Sequence, residues 1–192
     1  MAKYNEGTKL TQSVFLGNLL LIFGLISFIA FSYLIFQRYN PQNLAFDLPE
    51  AIAVSDNENS ELQPIGLRIN SIDLALSITP AEIKNNNWQA FPNAISYLKT
   101  TVVPGAKGNS VLYGHNWPNL LGDLKKVKPG DNINIIYSDN SSKDFEIEFI
   151  TKVLPSETSI LKDSPDNRVT LYTCTGFLDS ERLVVIAKLL NS

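Results

Sequence analysis

Between Lys9 and Arg38 the chain carries 28 consecutive residues without a formal charge, and nothing else in its 192 residues restricts the fold as severely. The apolar heart of that run, VFLGNLLLIFGLISFIAFSYLIF, covers residues 14–36. At a helical rise of about 1.5 Å per residue this stretch reaches ~35 Å, enough to cross a hydrocarbon core of about 30 Å with some tilt. A buried core helix of that length would keep a polar face, whereas only Asn18 and scattered Ser and Gly interrupt this one. A cleaved leader has a shorter apolar region and a small-x-small exit, and this run leaves through Tyr33, Leu34, Ile35 and Phe36. The run therefore reads as an uncleaved single-pass anchor. Lys3, Lys9 and the amino terminus precede it, while Arg38 is followed by Asp47, Glu50, Asp56 and Glu58. That asymmetry predicts a cytoplasmic amino end and an extracytoplasmic remainder.

Four regions follow: a cytoplasmic N-terminus at 1–13, the anchor at 14–36, a linker at 37–63 rich in Pro, Asn, Ser and acids, and a folded domain at 64–192. Within the domain the apolar pattern is one of short alternating runs divided by turn signals. GLRINSIDLALSI (66–78) holds two strand candidates, and TPAE (79–82) has the form of a capping box with Pro80 at the first helical position, so a short helix is expected there. The run Val111 to Tyr113 stops at Gly114-His115. NINIIY (132–137) and FEIEFI (145–150) flank a polar turn, with Phe145, Ile147 and Phe149 alternating with Glu146 and Glu148. RVTLYTC and RLVVIAKLL complete the set. Many short strands with few helices predict a mostly β domain, a closed or nearly closed antiparallel barrel or sandwich.

The formal net charge is −3 with Lys and Arg dispersed, which removes the electrostatic footprint of nucleic-acid binding. One Cys and one His exclude a disulfide framework and a CxxC-type zinc site, so Cys174, if it does chemistry, acts as a lone thiol. Alternation along 168–174 places Val169, Leu171 and Thr173 on one strand face and Thr170, Tyr172 and Cys174 on the other. TGFLDSE suits a hairpin loop, which makes Cys174 and Arg182 near-opposite neighbours on paired strands. A guanidinium beside a thiol favours the thiolate and is placed to stabilise an oxyanion. The proton partner available is His115. Read residue by residue, an inert buried cysteine and a catalytic Cys-His-Arg site both remain open.

At these residues the sequence resembles the sortase family. TLYTC (170–174), followed by Arg182 at the head of RLVVIA, matches one family signature, and GNSVLYGH (108–115) matches a second. LGDLKKVKPGDNINI resembles the segment after it, and the likeness runs over about residues 64–190. The resemblance implies a closed eight-stranded β-barrel with short helices behind one transmembrane helix. It further implies a cysteine transpeptidase that cuts an LPxTG-like sorting signal and joins the acyl group to an amine. Cys174 would be the nucleophile, His115 the proton carrier and Arg182 the substrate or oxyanion holder, with Thr173 a contributor to substrate or oxyanion binding. The three catalytic side chains should converge at one barrel end, open to a groove. Implied partners are secreted proteins with a C-terminal sorting signal and an amine acceptor of the cell envelope, and no cofactor is expected.

Asn116 and Trp117 depart from the basic or small residues many sortases have after the histidine, and Trp117 reads as packing. The Asp-Pro-aromatic lid and second membrane span of pilus-polymerising members are not seen, which favours the anchoring of single proteins. Glu157, Asp163 and Asp166 sit where some members bind calcium, but acids in a loop are ordinarily solvated and no metal is expected. Two other readings stand beside this one: an extracytoplasmic cysteine hydrolase, protease or L,D-transpeptidase, and a tethered, non-enzymatic β binding module.

Overall fold

The computed structural model describes residues 6–47, 62–84 and 87–190. The chain divides into two compact units, Met1–Asn40 and Pro41–Ser192. The first is one helix, α1 (Glu6–Tyr39), whose stretch Val14–Tyr39 is long and apolar enough to span a bilayer. Every residue from Val14 to Phe36 is exposed, so this helix is apolar on all sides without packing against the rest of its unit.

The second unit is a closed eight-stranded barrel. Its strands are β1 (Pro64–Ile69), β2 (Leu74–Ala81), β5 (Ile95–Leu98), β6 (Gly108–Tyr113), β7 (Asn132–Tyr137), β8 (Ser142–Val153), β9 (Asn167–Thr175) and β10 (Glu181–Leu189). The short β3 (Ile83–Lys84) and β4 (Asn87–Trp88) form a separate ribbon. Around the barrel the order is β1-β2-β5-β6-β9-β10-β8-β7, closing from β7 back to β1. Closure leaves no unpaired sheet edge. Only β2–β5 and β6–β9 run parallel.

Two expectations about local structure are corrected. The helix at TPAE does not form: Thr79, Pro80 and Ala81 continue β2. Here β2 has passed the end of its pairing with β1, which covers Leu74–Ser77, and pairs only with β5, so Pro80 needs no ladder partner on its second side. The Glu82 carboxylate binds Lys84 and Lys99 instead of turning back to cap a helix. Along β8, Phe145 and Ile147 are buried as predicted, but Phe149 is 45% exposed. A bulge explains it: Ile186 pairs with Phe149 and Ala187 with Ile147, so β8 carries one extra residue and its alternation changes face.

Two apolar clusters result. The first fills the barrel with aliphatic side chains from alternate positions, among them Leu67, Leu112, Ile133, Leu171 and Val185. The second lies on the outer face of β6, β9 and β10 and is richer in aromatics: Trp88, Tyr113 and Tyr172 join Val111, Cys174, Val184 and Ile186. Tyr113 and Tyr172 stack at 5.4 Å between centroids, with Trp88 edge-on to Tyr113 at 5.3 Å.

Candidate active site

Strand register assembles the site. Antiparallel β9 and β10 pair Cys174 with Arg182, as the hairpin argument required. Parallel to β9 on its other side runs β6, with Tyr113 opposite Tyr172. Beyond that pair the Gly114 N–H donates to the Tyr172 carbonyl at 3.3 Å and the Thr173 hydroxyl donates to the Gly114 carbonyl at 2.7 Å. One residue further along each strand stand His115 and Cys174. Three neighbouring strands thus carry His115, Cys174 and Arg182 to the same end of the barrel. The Thr173 hydroxyl proton is committed to Gly114, which fixes the chain just ahead of the histidine.

The site is not open. Cys174, His115 and Arg182 are 3%, 6% and 3% exposed, and the groove expected beside them is filled by Pro41–Asp47, a stretch read from sequence as linker. Pro41–Leu44 forms a single 3₁₀ turn, and the strap crosses the outer faces of β9 and β10. The Cys174 thiol donates to the Asn43 carbonyl at 2.8 Å, the Tyr172 hydroxyl to the Leu44 carbonyl at 3.1 Å, and Arg182 Nη2 to the Ala45 carbonyl at 2.7 Å. Leu44 and Phe46 drop into the outer cluster at 0% and 3% exposure, Phe46 edge-on to Tyr172 at 5.0 Å. The Asp47 N–H closes the strap on the Pro155 carbonyl at 2.9 Å. No lid motif was legible because the contacts to Cys174 and Arg182 come from backbone carbonyls, which any residue supplies. The remainder of the expected linker, 48–61, lies outside the described residues.

Burial under the strap sets the electrostatics. The Cys174 thiol is pushed up to about 12, with Arg182 offsetting part of the rise and Asp179 adding to it. Burial shifts His115 the other way, below its ordinary value. Both shifts favour the uncharged pair, thiol and imidazole, in this closed arrangement. Arg182 Nη1 donates to the Asp179 and Glu181 carbonyls at 2.9 and 3.1 Å, which orients the guanidinium. Its Nε–H is buried with no partner among the described residues.

The β8–β9 loop meets the strap at Pro155 and adds Ile160 and Leu161 to the outer cluster. Asn109 holds it in place: Nδ2 donates to the Ile160 and Lys162 carbonyls at 3.0 Å each, and Oδ1 accepts from the Thr170 hydroxyl at 2.7 Å. The loop acids are engaged within the protein. Asp163 accepts the Asn109 and Ser164 N–H groups, Asp166 binds Ser164, Arg168 and Lys188, and Glu157 accepts from Ser159.

Comparison with known proteins agrees with the geometry. A family model described as a sortase domain matches residues 67–190. Sortase A from Corynebacterium diphtheriae superposes with a TM-score of 0.59 at 26% identity, covering 84% of each chain. A sortase D5 transpeptidase from Clostridium perfringens gives 0.58 at 26% identity over 67% of this chain and 79% of that one. Sortase C-1 from Actinomyces oris, at 24% identity and a TM-score of 0.60, shares the fold over 78% of this chain and 89% of its own. No curated protein sequence matches.

Proposed function

The chain belongs to the sortase family and is a cysteine transpeptidase, and from that premise we propose that Cys174, His115 and Arg182 carry acyl transfer from an LPxTG-like sorting signal to an amine of the cell envelope. The observation that carries this reading is the cross-strand pair of Cys174 and Arg182, with Gly114-His115 tied to the adjoining strand by Thr173.

In the reaction the Cys174 thiol passes its proton to His115 as sulfur bonds to the carbonyl carbon of the residue after which the signal is cut. The oxyanion that forms takes a hydrogen bond from the unpartnered Arg182 Nε–H. Collapse breaks the C–N bond, and His115 returns the proton to the departing amine. An incoming amine then attacks the thioester, His115 removes its proton, and the thiolate leaves. The Thr173 hydroxyl holds the histidine's strand end rather than the oxyanion, which leaves oxyanion donation to Arg182.

The strap must leave first, because Asn43 and Ala45 occupy the nucleophile and the guanidinium. The structure is thus a closed resting form. Helix α1 anchors the enzyme with its amino end in the cytoplasm and its barrel outside, where secreted proteins emerge.

The test is competition between water and amine for one acyl-enzyme. Full-length protein in detergent is given a sorting-signal peptide with and without a panel of amines. The amide should grow at the expense of the acid as amine is added. Acid as the product with every amine would replace the transpeptidase by a hydrolase.

A further inference from the structure

Catalytic bases are commonly oriented by a third group that hydrogen-bonds the ring. Among the described residues, neither ring nitrogen of buried His115 makes a hydrogen bond. What the imidazole does have is Trp117, whose ring lies 4.2 Å from its own, centroid to centroid, and within 5° of parallel. We propose that Trp117 is a positioning residue, its indole fixing the plane of the His115 imidazole in place of a hydrogen-bonded third group. This rests on the role of His115 proposed above.

The loop is built to hold that stack. The Trp117 carbonyl accepts from the Leu120 and Gly122 N–H groups at 3.0 and 2.9 Å, and the His115 carbonyl from the Leu121 N–H at 3.1 Å. Leu120 and Leu121 are fully buried, and Leu121 joins the barrel's inner cluster. Gly122 is required, since a Cβ there would lie 2.7 Å from the Trp117 carbonyl oxygen. Trp117 itself stays half-exposed. A parallel indole face does two things for a proton carrier. It removes the ring's rotation about χ2, and its negative π face attracts the imidazolium that forms when His115 takes a proton. The second effect opposes the burial that favours neutral imidazole. Cys174, Arg182, Asp179 and Glu181 are ionisable groups at this end, with Asp47 on the strap.

The experiment compares Trp117→Phe, Trp117→Leu and Trp117→Ala in the full chain, with steady-state kinetics on a donor peptide and tryptophan emission followed against pH. Phe should keep kcat within about threefold. Leu and Ala should lose about 10- to 100-fold in kcat, part of the roughly 10²- to 10⁴-fold that acid–base transfer supplies, with KM nearly unchanged. Wild-type emission should fall as His115 protonates, at a pH below the ordinary imidazole value. That step should vanish in Trp117→Phe, which keeps Trp88, and in His115→Gln, which keeps Cys174, Arg182 and Asp179. Full kcat in Trp117→Leu, equal losses in Phe and Leu, or an emission step that survives His115→Gln would each overturn the proposal. A wild type with the His115-dependent step but no peptide turnover would count against the transpeptidase reading alone, because emission reports the ring pair without catalysis.

Discussion

The wall of this barrel is not the same all the way round. On β8, Glu146 and Glu148 face water and alternate with buried Phe145 and Ile147, so that part of the sheet has one dry side and one wet one. On β6, β9 and β10 both sides are dry: Leu112, Leu171 and Val185 point into the barrel while Tyr113, Tyr172, Cys174 and Val184 point out of it. A sheet buried on both faces reads in sequence as a continuous apolar run rather than an alternating one. SVLY, VTLY and LVVIA have that character and FEIEFI does not. Something therefore had to cover the outer face of β6, β9 and β10, and the cover has three parts: Trp88 of the β3–β4 ribbon, Ile160 and Leu161 of the β8–β9 loop, and a strap of seven residues, 41–47, that contributes two deeply buried apolar side chains. Burying Leu44 and Phe46 contributes about 3–6 kcal/mol and the strap's hydrogen bonds about as much again. Ordering seven residues of backbone costs about 7–14 kcal/mol. The inner cluster holds the protein together, whereas the outer one is closed by a segment whose docking is nearly balanced.

That contrast is tested most severely at Cys174. Replacing it by Ala should abolish peptide turnover and thioester formation, because no second cysteine exists to take the acyl group, while the melting temperature stays close to wild type. Residual turnover would remove the nucleophile from the covered face. Next in size, His115→Ala should cost roughly 10²- to 10⁴-fold in kcat/KM and Arg182→Ala on the order of 10²- to 10³-fold.

An inner-cluster truncation should behave in the opposite way. Leu171→Ala, one position from Tyr172 but on the other face, should lower stability by about 2–5 kcal/mol in chemical denaturation. A loss as small as that of Phe46→Ala would erase the distinction between the clusters. Loosening the strap with Leu44→Ala and Phe46→Ala together should accelerate Cys174 alkylation by about tenfold or more. The pH dependence carries the sign: the closed thiol ionises only near 12, so wild-type alkylation keeps rising through alkaline pH. In the loosened variant the midpoint should fall toward the ordinary thiol value, because the burial that raised it is gone. An unchanged profile would mean that the strap does not gate the nucleophile. The smallest effect belongs to the wet face, where Glu146→Gln should stay within about 0.5 kcal/mol and leave kinetics untouched.

Much of this was legible because it is local. An uncharged run of 28 residues reads as a helix long and apolar enough to cross a bilayer. Alternation named which side of β9 Cys174 occupies, and the length of the loop after it placed Arg182 opposite, since a hairpin closes over few residues. What tertiary structure alone decided is everything that depends on a distant backbone. Whether TPAE would cap a helix or extend β2 turned on β5 being there to pair with it. The exposure of Phe149 turned on one bulge, whose position no period in FEIEFI encodes. The strap met the thiol and the guanidinium through carbonyl oxygens, and a carbonyl has no letter in the sequence. Side-chain chemistry is written residue by residue, but the occupancy of a site by main chain emerges only when segments some 130 residues apart are brought within hydrogen-bonding distance.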